Sequence, residues 1–197
     1  MRPLVAASPK SAKLVVLPEE LVDKLRAITI RKGVSLTNFA AEALEQAIRM
    51  EAIGGKLEDA VDIFNLYNVS HAAGAVQVPR SNFNAMITEL YRADREGLLD
   101  VWREAGRWYG EYMRAMLGEE ALAFFRDSLL VSWNLDEVNI TRDGLLVKIE
   151  LVSFVMSLEL TELLSSYILG VMSSLGYVLM EEDGLRGLTT LRFREEL

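Results

Sequence analysis

The spacing of apolar residues near the start of the chain changes from that of a strand to that of a helix. Residues 12–17 form an aliphatic, β-branched run of ordinary strand length, and the run stops at Pro18. Proline suits the first turn of a helix, and Leu21, Leu25 and Ile28 then recur at helical spacing. The pattern therefore predicts a short strand followed directly by an amphipathic helix.

A second helix is predicted after a glycine turn. Gly33 suits the left-handed conformation that ends many helices, and Ser35 is well placed to cap the next one. The apolar residues of that helix fall on one face: Phe39, Ala40, Ala43, Leu44, Ala47 and Ile48. Gly54 and Gly55 mark the boundary after it.

A single strand leaves its backbone groups unpaired unless another strand joins it. The simplest partner is the same strand of a second copy, lying antiparallel across a two-fold axis. With their order of strand, Pro-Glu-Glu, helix, Gly-x-Ser and helix, residues 10–51 resemble the ribbon-helix-helix repressors of the Arc, methionine-repressor and CopG type. The resemblance implies a dimer that inserts a two-stranded ribbon into the major groove of DNA.

The resemblance also assigns the two faces of the ribbon. Three strand residues are expected to face inward: Lys13, Val15 and Leu17. Three others are expected to face the groove: Ala12, Leu14 and Val16. Because these three side chains form no hydrogen bonds, they offer base edges only apolar contact, for example with thymine methyl groups. Phosphate contacts are expected from Lys10, Lys13, Ser35, Thr37 and Asn38.

Strands and helices are segregated in the rest of the chain. A connector helix is predicted at 56–72, a short strand at 75–79, and helices at 82–94, 97–117 and 119–130. A hairpin is predicted at 138–152 with its turn at Asp143 and Gly144, then a buried helix at 159–175. A second hairpin is predicted at 177–193 with its turn at Asp183 and Gly184. This order predicts an α+β domain with antiparallel hairpins.

Four regions follow from these patterns, and the charge differs between them. They are a flexible arm at 1–11, a ribbon-helix-helix at 12–53, a linker or connector helix at 54–74 and an α+β sensor or dimerisation domain at 75–197. Residues 1–50 contain eight Lys/Arg and five Asp/Glu, a net charge of +3, whereas residues 51–197 contain 13 and 24, a net of −11. The mildly basic front agrees with nucleic-acid contact confined to that part of the chain, and ordinary variation in surface charge is the alternative.

An aromatic and methionine stripe runs along the predicted helix at 97–117. Such adaptable side chains suit an apolar ligand, and they predict a pocket lined from among Trp102, Tyr109, Met113, Phe154 and Met172. A fully packed core built from the same residues is the alternative. Gly106 and Gly110, four residues apart, predict a close approach by another segment.

The order of elements from 75 to 194 is similar to that of the 4-vinyl-reductase-like domains, whose fold is shared with trafficking-complex subunits. The segments that carry the similarity are EAGRWYGEYM at 104–113, the hairpin at 143–154, the apolar helix at 163–177 and LRFRE at 191–195. The resemblance implies a sensor of small apolar molecules. Relatives often hold a metal through cysteines near the final hairpin. Thr189 and Thr190 stand in that region here, so no metal or other cofactor is expected.

Composition narrows the class of protein. The 197 residues are 51% hydrophobic and 25% charged, with no cysteine and one histidine, which fits a globular cytoplasmic protein. Residues 163–180 carry no charge, but serines, glycines and tyrosines dilute the run, and Gly176 is predicted to divide it into a buried helix and a strand. Residues 1–10 are too short an apolar stretch for a secretory signal. No membrane contact is expected.

Catalytic and metal-binding constellations are missing from the sequence. A single histidine, His71, and the absence of cysteine leave no Ser-His-Asp or Cys-His set and no cluster of the kind that nickel-responsive regulators need. No phosphate-binding glycine loop or dinucleotide fingerprint is present. An enzyme is not expected.

The sequence thus predicts a homodimeric DNA-binding transcriptional regulator. Its second domain is expected to sense a ligand or to extend the dimer. The alternative is an interaction or assembly protein that uses the ribbon-helix-helix only for dimerisation. An antitoxin is a weaker third possibility, because antitoxins with this front end usually carry a short disordered tail in place of about 140 structured residues.

Overall fold

The computed structural model describes residues 14–133 and 135–196, which divide into two compact units between Asp62 and Ile63. The helices are α1 (Glu19–Lys32), α2 (Leu36–Ala52), α3 (Leu57–Ala72), α4 (Arg80–Ala93), α5 (Arg95–Leu117), α6 (Ala121–Ser132) and α7 (Leu158–Ser174). The strands are β1 (Glu137–Asp143), β2 (Leu146–Val152), β3 (Tyr177–Leu185) and β4 (Leu188–Glu195). A single 3-10 turn, Gly118–Glu120, precedes α6.

The second unit has the α+β class and the antiparallel hairpins that the sequence predicts. Its four strands form one sheet in the order β1-β2-β4-β3, and every neighbouring pair is antiparallel. Alternate residues of β2 and β4 point into the core, which explains their alternating hydrophobicity. The buried apolar members are Val147, Ile149, Leu151, Leu191 and Phe193, and Thr189 of β4 is buried with them.

Helices α1 and α2 of the first unit begin and end where the sequence predicts. Gly33 ends α1 in the left-handed conformation at φ 67°, and the Val34 N–H donates to the Thr29 carbonyl at 3.1 Å. Ser35 caps α2, because its Oγ accepts the Asn38 N–H at 3.1 Å. Residues 14–17 carry no secondary structure in the single chain, and residues 12 and 13 lie outside the described residues. The ribbon strand therefore stays a prediction that needs a second copy.

Two local predictions are wrong. Residues 75–79 form no strand: all five are exposed, and the sheet formed by β1–β4 does not include them. The closing hairpin does not turn at Asp183 and Gly184. Strand β3 instead continues through these two residues to Leu185, and Gly184 pairs with Thr189 of β4. The turn lies at Gly187, which has a φ of 71°.

Helix α7, which contains most of the charge-free segment 163–180, lies against α5 at unusually short range. A Cβ on Gly106 would lie 2.0 Å from the Tyr167 carbonyl oxygen, and one on Gly170 would lie 2.0 Å from the Arg103 carbonyl oxygen. Ser166 Oγ donates to the Leu99 carbonyl at 2.8 Å, so a serine of this apolar helix finds its partner on α5. The close approach predicted at Gly106 is confirmed. Among the described residues, no helix has the length and apolarity that a membrane crossing requires.

Candidate dimerisation and nucleic-acid interface

The α1–α2 hairpin leaves its apolar face in solvent. Helix α2 has no buried residue, and Thr29 is the one buried residue of α1. Leu44 is 58% exposed and Ile48 is 69% exposed, although both belong to the apolar stripe of α2. Soluble monomers rarely expose contiguous apolar patches, so this stripe is a candidate surface for a partner.

A groove with an apolar floor and a polar rim lies between the end of α1 and the start of α2. The groove is shallow and open to solvent. Lys32 Nζ lies 5.5 Å from the centre of the Phe39 ring, within range of a cation–π contact. The lining residues are Lys32, Val34, Phe39, Glu42, Ala43 and Gln46. The stripe at Phe39 and Ala43 signalled part of this groove in the sequence, but its rim was not predicted.

The predicted phosphate-contact residues of α2 lie together at its N-terminus. Ser35, Thr37 and Asn38 are all exposed, and the first turn of α2 contains no acidic residue. A helix start of this kind presents free backbone N–H groups and the positive end of the helix dipole. The arrangement is therefore compatible with an anionic ligand such as a phosphate.

The predicted ribbon face is only partly described. Leu14 is 92% exposed and Val16 is 87% exposed, so both are free to contact another molecule. Lys10, Ala12 and Lys13 lie outside the described residues.

The residues predicted to line a pocket do not all come together. Tyr109, Met113 and Met172 are buried in one core cluster of the second unit, and Trp102 packs against that cluster. Phe154 is 81% exposed and does not belong to it. After β2 ends, the Ser153 N–H donates to the Gly187 carbonyl at 2.7 Å and the Phe154 N–H donates to Asp136 Oδ2 at 2.8 Å. These bonds hold the loop with the Phe154 ring in solvent, so including this residue in the pocket is wrong.

Two buried tyrosines and one surface ion pair stand out among the titratable groups of the second unit. Burial raises the pKa of Tyr109 and of Tyr167, because the phenolate form would lose its hydration. Arg95 binds Glu162 at 2.6 Å and also donates to the Tyr91 hydroxyl at 2.8 Å, on a largely exposed surface. Across the described ranges, no group of three or more His, Cys, Asp or Glu is placed to hold a metal ion.

Comparison with known proteins gives no assignment. No protein-family model matches the sequence, and no curated protein matches it significantly. The chain is similar to a solved structure described as "Cs H-NOX mutant with unnatural amino acid 4-cyano-L-phenylalanine at site 5". The two share 13% sequence identity with a TM-score of 0.37, over 75% of this chain and 90% of that one.

Proposed function

We propose that the chain is a homodimeric DNA-binding regulator whose first unit is completed by a second copy. The observation that carries this proposal is the α1–α2 hairpin, in which the apolar stripe of α2 has no buried member. A helical hairpin that buries so little gains too little free energy to offset the entropy of ordering its chain. A second copy supplies the missing burial, as in the ribbon-helix-helix repressors that residues 10–51 resemble.

DNA contact in this proposal is mainly electrostatic. The helix start at Ser35 offers backbone N–H groups to a phosphate, and Lys10 and Lys13 add positive charge close to the ribbon in sequence. Leu14 and Val16 give the ribbon only apolar contact with base edges. The dimer is therefore expected to bind many sequences with little discrimination between them.

Replacing Ser35 with aspartate tests the contact at α2. Aspartate caps a helix as well as serine does, so the hairpin should keep its fold. The added negative charge repels the phosphate, and the expected penalty of about 1.4 kcal/mol in each copy weakens DNA binding by about 100-fold for the dimer. Fluorescence anisotropy with a labelled duplex from the DNA flanking the protein's own gene, at about 50 mM salt, measures this change.

Ser35→Asn is the matched control. Asparagine has the shape of aspartate and also caps helices, but it is neutral. It should bind DNA within about threefold of the native protein, a difference of under 1 kcal/mol. If Ser35→Asp binds as tightly as Ser35→Asn, the α2 N-terminus does not contact phosphate.

A double change of Lys10 and Lys13 to alanine should weaken binding to all duplexes alike. For every phosphate that the variant no longer neutralises, the plot of log affinity against log salt should flatten by about 0.9, because fewer counterions are released. The measurement is the same anisotropy titration at a series of salt concentrations. A variant that binds one duplex alone more weakly, with an unchanged slope, would show that these lysines read sequence.

The second unit is proposed to sense a ligand or to extend the dimer. Its core contains the adaptable side chains of Tyr109, Met113 and Met172, which suit a small apolar ligand. Leu14 and Val16 are apolar and almost fully exposed. Their exposure favours a second candidate function, in which the first unit joins protein chains and does not bind DNA. Absence of binding to any duplex at about 50 mM salt would favour this assembly role.

A further inference from the structure

Helix α3 has two apolar faces, and its own chain covers only one of them. Leu66 is buried, and Val69 and Ala73 pack against the core of the second unit. The remaining large apolar side chains are between 47% and 61% exposed: Leu57, Val61, Ile63, Phe64 and Tyr67. An amphipathic helix normally exposes its polar side, so a second apolar face needs a partner.

The exposed residues follow the seven-residue repeat of a coiled coil. With Leu57 at position a, the next a positions are Phe64 and His71, and the d positions are Ala60 and Tyr67. Val61 and Ile63 take the flanking e and g positions and widen the apolar seam. The acidic residues Glu58, Asp59 and Asp62 fall at positions b, c and f, away from the seam.

We propose that this face of α3 pairs in parallel with α3 of a second copy of the chain. A second copy fits the charge pattern, because equal positions meet in a parallel pair and no acidic side chain of α3 then faces its own counterpart.

The proposal rests on the dimer through residues 12–53. Helix α2 ends at Ala52 and α3 begins at Leu57. A dimer that holds two copies of α2 also holds the starts of two α3 helices at high effective concentration. His71 lies at an a position near the end of the seam, with its ring 5.8 Å from that of Tyr67. A polar residue at one a position favours a single register, as in other coiled coils.

Single cysteines test the pairing, because the native chain contains none. Equal a positions of a parallel pair lie close enough for a disulfide, whose Cα atoms are about 4.4–6.8 Å apart. Full-length Phe64→Cys should therefore cross-link to a covalent dimer under mild oxidation, seen on a non-reducing gel. Leu57→Cys, at another a position, should do the same if removal of the Phe64 ring weakens the seam. Asp62→Cys, at an outer position of the same helix, is the control and should cross-link at least about tenfold more slowly.

The outcomes separate this inference from the proposed function. If the native protein has the mass of a monomer, the dimer through residues 12–53 fails and the pairing of α3 fails with it. If the native protein is a dimer but Phe64→Cys and Leu57→Cys react no faster than Asp62→Cys, only the pairing of α3 is overturned. Fast cross-linking at both a positions with slow cross-linking at Asp62 supports it.

Discussion

Replacing Gly170 with alanine is expected to lower the free energy of unfolding of the second unit by about 3 kcal/mol, near the upper end for one extra methyl group in a packed core. The added Cβ would lie 2.0 Å from the Arg103 carbonyl oxygen and 2.8 Å from the Arg107 backbone nitrogen. These atoms belong to the backbone of α5, so they cannot move aside as the end of a flexible side chain can. The two helices must separate, which breaks the packing between them.

The sign of this effect is informative. In a helix without a close neighbour, changing glycine to alanine stabilises the helix by about 1 kcal/mol. A loss of stability in Gly170→Ala would therefore show that the clash with α5 outweighs the gain that alanine normally brings to a helix. All three tryptophans, Trp102, Trp108 and Trp133, lie in the second unit, so tryptophan fluorescence during urea unfolding reports on this unit. The melting temperature should fall by roughly 10 °C.

Gly184→Ala is the matched control in the same unit. A Cβ at Gly184 would come no closer than 3.9 Å to another group, and this position does not need a positive φ. The control should leave the unfolding curve within about 0.5 kcal/mol of the native curve. If Gly170→Ala is as stable as the control, α5 and α7 are not packed backbone to backbone.

Replacing Leu44 with glutamate is expected to dissociate the dimer. Leu44 lies in the middle of the apolar stripe of α2, and its side chain is mostly exposed in the single chain. In the proposed dimer the change removes buried apolar surface and places a charge there, at a cost of about 3 kcal/mol. A two-fold interface contains the change twice, so the dissociation constant should rise by at least about 10⁴-fold.

Sedimentation equilibrium and circular dichroism measure the two consequences of this change. The native protein should have twice the chain mass of 22.1 kDa, and the variant should approach 22.1 kDa with reduced helix content. Arg49→Glu places the same side chain on the opposite, exposed face of α2 and should remain dimeric. A variant at Leu44 that keeps the dimer mass would show that the stripe of α2 does not form the interface.

Local signals in the sequence predicted most elements of the second unit. Alternation in β2 and the turn at Gly144 gave the first hairpin, and Gly106 signalled a close helix contact. Gly170, the partner glycine on α7, was not singled out, because only the packing of α5 on α7 shows that the two helices meet there. The turn of the closing hairpin was misplaced, since both Gly184 and Gly187 suit a turn and the choice depends on pairing with β4.

The features of the candidate interface that depend on residues close together in the chain are predictable from the sequence. Gly33 and Ser35 act through hydrogen bonds to neighbours in the chain, which sequence spacing defines. The strand predicted at 12–17 can pair only with a second chain. Its prediction therefore rests on the argument that a lone strand would leave its backbone N–H and C=O groups unpaired. The prediction of Phe154 as a pocket residue rests on its aromatic side chain alone, yet hydrogen bonds at Gly187 and Asp136 decide the course of its loop.

Sedimentation velocity of a labelled duplex with increasing amounts of the full chain tests the central claim most directly, because it measures dimerisation and DNA binding together. The duplex, taken from the DNA flanking the protein's own gene, should gain mass at about 50 mM salt in steps of two chains of 22.1 kDa each. Steps of one chain would contradict the two-chain ribbon. A duplex that sediments unchanged at every protein concentration would contradict the role in DNA binding.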